Sequence, residues 1–253
     1  MRRSRLVPVW LCLVTVLAFL YGPLVPPLVL AFQDPTTGAP TLANLAAIPS
    51  DATLVGALLN SVILAAIVAV VAPLLALAAA QAVRTFGFAR LIVTVILLPL
   101  FVPGISMGIS TSLFFNLAGV NPSLLTMATV QTLWALPFAF LVILTAMSSF
   151  DPLYLEAAYT SGANRAQAFW EVELPQIAPG LTGAATFSAI LSFNETIRTS
   201  VVQGGHNTVQ TFIWSRYQQV GLTPSMHALM SLIIGLTLLL ILALVLLERK
   251  QGA

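Results

Sequence analysis

Two short stretches of this sequence place chemistry-bearing residues at defined spacing. The first, Asp151 to Pro175, holds Asp151, Glu156, Arg165, Glu171 and Glu173, in a chain with only ten basic and eight acidic residues. Asp151-Pro152 pairs an N-cap with a proline at the first helical position. Gly162 is placed to end that helix in a left-handed cap. Asn164 is a second N-cap with Gln167 three residues on, as in a capping box, and Leu174-Pro175 closes the second element. The spacing predicts helix, glycine turn, helix, each about ten residues or ~15 Å long, lying on a membrane surface.

The second stretch is Asn194, Glu195 and Arg198. On a continuing helix, Glu195 and Arg198 are three apart and positioned for an ordinary ion pair; alternatively, with Asn194, they line a pathway and meet a zwitterionic or anionic group. His206, beside Gly204-Gly205, reads as a solvated loop histidine. Trp134, Trp214 and Tyr217 fall near span ends and suit an aromatic belt.

Other chemistries are excluded by what the sequence lacks. A phosphate-binding loop needs G-x-x-x-x-G-K-[ST], and the one lysine is Lys250, preceded by Arg249. Cys12 has no intrachain partner, and no Cys/His cluster has metal-ligand spacing. The expectation is therefore no catalytic residue and no cofactor or metal bound by this chain. Ten basic residues dispersed among apolar blocks form no nucleic-acid stripe.

The elements that position these residues are membrane spans. Of 253 residues, 58% are hydrophobic and 7% charged, and the mean hydropathy is +0.98. Ordinary soluble domains carry roughly a quarter charged residues. Each span needs roughly 20 apolar residues, and the uncharged intervals accommodate six, at about 7–32, 53–83, 91–117, 124–149, 175–194 and 226–247. The first is too long for the ~7–15-residue core of a signal peptide, so it reads as a retained helix. The expected fold class is an all-α polytopic membrane protein of one domain, 1–253, with a loop at 151–174 between helices four and five.

Six spans put both termini on one side. Arg2, Arg3, Arg5, Arg84, Arg90, Arg165, Arg249 and Lys250 fall on that side, and Arg198 and Arg216 on the other, so the positive-inside bias makes the termini cytoplasmic. The exported loops are small, which assigns capture of any ligand to another protein. Pro23, Pro26, Pro27, Pro73, Pro99, Pro103 and Pro137 interrupt the spans, with Gly104 and Gly108 nearby. Such kinks suit a bundle that moves, although Pro and Gly are common in membrane helices in any case.

Glu156-Ala157-Ala158, three residues, Gly162, nine residues, Val172, one residue, Leu174-Pro175 resembles the EAA motif of binding-protein-dependent ABC importer permeases, with Val172 in place of isoleucine. Tyr21, Pro23, Leu98-Pro99, Pro103-Gly104, Leu136-Pro137 and Ser192-Phe193 are similar to the polyamine-type (spermidine/putrescine) members. Those relatives carry an acidic pair a few residues after the Ser-Phe, where this chain has Arg198 and Thr199. The resemblance implies that the loop is a coupling helix seated on a separate ATPase, with Glu156, Ala157, Ala158, Gly162, Leu174 and Pro175 as the coupling residues. It also implies two ATP-binding cassette subunits carrying Mg-ATP, a second six-span permease subunit, a substrate-binding protein outside, and the bacterial cytoplasmic (inner) membrane as location. An ion-coupled secondary transporter and a non-transporting membrane scaffold are the alternatives; no Asp or Glu lies within the six spans to form a proton relay.

Overall fold

The computed structural model describes the backbone from Leu6 to Gln251, with side-chain surroundings for 10–235, 237 and 238. Arg2, Arg3 and Arg5, and the side chains of Arg249 and Lys250, on which the topology argument draws, lie outside the described residues. The described chain is almost entirely helical; its one β feature among those residues is an isolated antiparallel bridge between Gln33 and Pro40.

Two compact units are present, residues 1–55 with 215–253, and residues 56–214. In the first, α1 (Leu6–Tyr21) passes through a 3₁₀ turn (Gly22–Leu24) into α2 (Val25–Leu30). Pro23 and Pro26 each sit in the first turn of a helical piece, where a missing N–H is not needed. Asn44, in the short α3 (Ala43–Ala46), donates through Nδ2 to the carbonyls of Ala31 at 3.2 Å and Gln33 at 2.8 Å, closing the loop after α2. In the same loop Asp34 accepts from the Thr36 hydroxyl and from the backbone N–H of Thr37 and Thr36, which lowers its pKa to about 2. Its folded pKa is depressed, so the stability it contributes is present above the ordinary carboxylate range and is lost as pH falls toward that value.

The second unit contains most of α4 (Ala52–Phe86), then α5 (Ala89–Leu97), a 3₁₀ turn (Leu98–Phe101), α6 (Gly104–Leu117), α7 (Leu124–Ser148), α8 (Leu153–Thr160), α9 (Arg165–Gln167), α10 (Leu174–Phe193), α11 (Ile197–Val202) and the start of α12 (Val209–Val220). The last helix, α13 (Pro224–Gln251), belongs to the first unit and packs on α2 and α3. Among the described residues, Trp10–Leu30, Ala52–Phe86 and Leu124–Ser148 are long and apolar enough to cross a membrane. At 35 residues α4 is about 52 Å long, longer than a hydrocarbon layer of roughly 30 Å is thick.

Within the stretch 91–117, expected as one span, Ala89–Phe101 and Gly104–Leu117 are bent by 104° to each other. The cause is local. A residue preceding proline is pushed out of the α region, and Val102, before Pro103, is extended at φ −86°, ψ 124°. Pro103 then caps α6 at φ −55°, ψ 136°.

The core of this unit is built from small residues. Val68, Ala72, Ala76 and Ala80 recur every fourth residue along α4 and form one buried cluster with Ala135, Ala139, Phe140 and Ile143 of α7 and Ala184 of α10. Small side chains on one helical stripe let backbones approach closely, which is how helices associate where lipid removes the hydrophobic drive. On α10, a β-carbon at Gly180 would overlap that of Ala146, whereas at Gly183 it would stand 3.8 Å from Val142 Cγ1. Gly180→Val should therefore lower the apparent melting temperature of the detergent-purified protein by several degrees. Gly183→Ala should leave it near the wild-type value, and equal melting of the two variants would refute this packing.

Candidate functional site

The loop after α7 forms from signals that are local in sequence. The Asp151 carboxylate accepts from the Leu153 N–H at 3.0 Å and starts α8. Gly162 ends it at φ +91°, where a side chain is strained although no atom within 4 Å would meet a β-carbon. The Ala163 N–H returns to the Ala158 carbonyl at 3.0 Å, satisfying an end-of-helix acceptor. Asn164 and Gln167 form the reciprocal capping box: Gln167 N–H donates to Asn164 Oδ1 and Asn164 N–H to Gln167 Oε1, each at 3.0 Å.

Leu174-Pro175, however, does not close the second helix. The chain continues from α9 through a π-helical segment, Ala168–Glu173, directly into α10. Proline at 175 has no N–H for the preceding turn, and the widened π turn before it carries the helix past that gap. Of the motif residues, Glu156, Ala157, Gly162 and Pro175 are exposed, and Ala158 and Leu174 half-buried. Glu156 has no salt bridge among the described residues.

Glu173, which the local pattern left without a role, is 2% exposed. Its Oε1 accepts from Gln81 Nε2 at 2.7 Å and its Oε2 from Arg84 Nη2 at 2.8 Å. Arg84 also donates to Gln81 Oε1 at 2.7 Å, closing a ring of three side chains. Beside it lies a cleft of about 840 Å³, lined on one side by Gln81, Arg84 and Thr85 of α4 and on the other by loop residues including Leu155, Tyr159 and Phe169.

At the far end of α10, Glu195 and Arg198 form an ion pair of 2.7 Å, with side-chain exposures of 6% and 11%. Glu195 Oε1 also accepts the Arg198 backbone N–H at 2.8 Å, so both carboxylate oxygens are engaged. The guanidinium carbon stands 3.7 Å from the Trp134 ring centroid. Trp134 in turn meets Phe138 edge-on at 5.1 Å, and Phe138 meets Phe187 at 5.7 Å. Trp134 is thus a partner of Arg198 inside α7's packing, which corrects its assignment to an aromatic belt. Gly104 and Gly108 of α6 admit this arrangement: a β-carbon would lie 3.2 Å from Arg198 Cζ at Gly104 and 3.1 Å from Arg198 Cα at Gly108.

Asn194 is exposed and spends its Nδ2 on the Ile190 carbonyl at 2.9 Å. With Glu195, Thr196, Ile197, Arg198 and Trp214 it lines a pocket of about 330 Å³. Beneath the pair, buried Gln131 of α7 donates to Thr199 Oγ1 at 2.9 Å and accepts from Ser192 Oγ at 2.5 Å. Gln131 is an amide in the middle of an apolar helix, a signal that polar residues in membrane spans make partners.

The molecule is thus a nearly all-helical membrane protein with, among the described residues, two buried, paired carboxylates. Residues 72–251 match the family of binding-protein-dependent transport system inner membrane components, and the chain belongs to that family. It is 25% identical over 150 residues to the spermidine/putrescine transport system permease protein PotC of Haemophilus influenzae, covering 59% of this chain and 58% of that protein. The Escherichia coli PotC is 26% identical over 149 residues, covering 59% and 56%. The sulfate transport system permease protein CysT of Salmonella typhimurium is 27% identical over 132 residues, covering 51% and 47%. The chain therefore spans about half the length of these relatives. In fold it is similar to a bacterial ABC transporter involved in import of the acidic polysaccharide alginate, at TM-score 0.70 and 18% identity, covering 99% of this chain and 96% of that one.

Removing one partner of a buried ion pair leaves an uncompensated charge, a loss of about 3–5 kcal/mol. Glu195→Ala should destabilise the protein by an amount near that range, and Glu195→Ala/Arg198→Ala by less than the sum of the single changes. Thermal unfolding in detergent, read as a double-mutant cycle, checks this; additivity within about 0.5 kcal/mol would count against the pair.

Proposed function

We propose that the chain is the permease subunit of an ATP-driven importer, forming part of the pathway for a small organic solute, polyamine-like or otherwise, that a separate binding protein delivers. In this reading there are six spans, at about 7–32, 53–83, 91–117, 124–149, 175–194 and 226–247 within one domain, the third bent at Pro103. Both termini face the cytoplasm of a bacterial inner membrane. The partners are two ATP-binding cassette subunits, which carry Mg-ATP, and a second permease subunit, homologous or identical.

The observation that carries the reading is the loop. Glu156-Ala157-Ala158 lies on a short helix ended by a glycine at φ +91°, and α9 and a π-helical segment then lead into a 20-residue helix. Ala157 and Ala158 are small enough for a partner surface to approach closely, and Glu156 is free to pair with a basic group on the ATPase. The alginate importer structure that resembles this chain was also obtained in complex with an alginate-bound periplasmic protein, at TM-score 0.68, which supports delivery from outside. ATP binding would draw two such loops together and open the pathway outward; hydrolysis would reset it.

Asn194, Glu195 and Arg198 are assigned to the outer part of the pathway. The pair they contain carries no net charge, which favours a zwitterionic or anionic group over a polycation meeting a free carboxylate.

In proteoliposomes holding the assembled complex, Glu156→Lys and Gly162→Val should each reduce ATP-dependent uptake at least about tenfold, a coupling loss of the usual size. Arg198→Ala should change which solutes compete for uptake. ATP-driven uptake that survives both loop substitutions intact would sink the docking assignment, and transport without any ATPase subunit would sink the reading altogether.

A further inference from the structure

We infer that Glu173 is a positioning residue that pins the 151–173 loop to the end of α4 through Arg84 and Gln81, so that the loop and the end of α4 move together at this joint. The inference rests on the proposed role of the loop as the ATPase dock.

The connectivity argues for it. Every other side-chain hydrogen bond made by residues 151–173, among the described residues, stays within the segment: Asp151 to Leu153, Thr160 and Ser161 to Ala157, Asn164 to Gln167. Glu173 alone reaches across, to residues 92 and 89 positions away. On the side of α8, loop and α4 are separated by the cleft that Leu155 and Tyr159 line. The segment is continuous with α7 at Phe150, whose ring lies 6.2 Å from that of Tyr154, and its polar tie to α4 is at Glu173.

The chemistry of the joint makes it stiff. A carboxylate 2% exposed is retained only with its charge and lone pairs satisfied, and here each oxygen has one donor from α4. Gln81 and Arg84 are one turn apart on α4, and their mutual bond fixes the fork that receives Glu173. Arg84 is 43% exposed on its side chain, so the joint sits at the rim of the fold, next to the loop, and not deep among the helices. It also falls at the last residue of the π-helical segment, where a widened turn gives α10 a place to bend relative to the loop.

The test uses Glu173→Gln, which keeps the side chain's shape and removes its charge. In the reconstituted complex with its ATPase, solute taken up per ATP hydrolysed should fall about tenfold, within the range by which residues away from a ligand modulate coupling. The charge-swapped Arg84→Glu/Glu173→Arg chain should recover part of that loss. Spin labels at exposed Phe86 and Tyr154 on the permease chain alone should report a broadened distance distribution in Glu173→Gln.

An unchanged uptake-to-hydrolysis ratio with an unchanged distance distribution overturns the inference. So does loss of complex assembly with the distribution unchanged, which would make Glu173 a contact for the partner. If the wild-type complex shows no ATP-driven uptake, the reading of the loop fails instead, while the label distances still test the pin.

Discussion

Close packing of small residues is the constraint on which the rest of unit 56–214 depends. In lipid, helices gain nothing by hiding apolar surface from one another, so they hold together only where backbones meet closely or polar groups bond across. The stripe Val68, Ala72, Ala76 and Ala80 meets Ala135, Ala139 and Ala184 in one buried cluster, and Gly180 lies against Ala146. These contacts bring α4, α7 and α10 near enough for side chains at their ends to find each other. Glu173 reaches Gln81 and Arg84 one position beyond Ala80. Gln131 reaches Ser192 and Thr199 a turn before Ala135. The polar joints sit where the small-residue seam ends, because only there are the helices both close and free to take larger side chains.

The two buried ion pairs differ in reach. The Glu195–Arg198 pair is local, three residues apart, and its carboxylate doubles as an acceptor for the first turn of α11. What binds that turn to the bundle is the Arg198 guanidinium on Trp134 and the close approach of Gly104 and Gly108. The Glu173–Arg84 pair spans 89 residues and ties a surface loop to a long helix. Local pairs shape an element, whereas distant ones determine which elements move together.

Local grammar was legible in the sequence wherever its partners are neighbours. The Asp151 cap, the Gly162 turn, the Asn164–Gln167 box and the Glu195–Arg198 pair are each settled within three or four residues, and each is in place. α4 and α7, each long and apolar enough to cross a membrane, fall in charge-poor intervals of the sequence. Three features were not legible. Pro103 was read as a kink, but the size of the bend depends on Val102 adopting extended backbone and on α6 finding α11 to pack on. Leu174-Pro175 reads as a stop, because proline ends helices in water; a π turn absorbs it here. Glu173 and Trp134 have no informative neighbours, since their partners lie on other helices at separations that no periodicity encodes.

The pairing of the buried acids bears on what could drive such a bundle. A carrier that runs on protons needs a carboxylate able to take up and release a proton as the pathway opens to either side. Among the described residues the buried acids are Glu173 and Glu195, and each is held by an arginine at 2.8 Å and 2.7 Å respectively. Each has both carboxylate oxygens engaged by donors of the protein, and removing one partner of such a pair is costly. Both carboxylates are therefore committed to holding helices in place. The loop that Glu173 holds is then the surface on which the proposed ATPase would act.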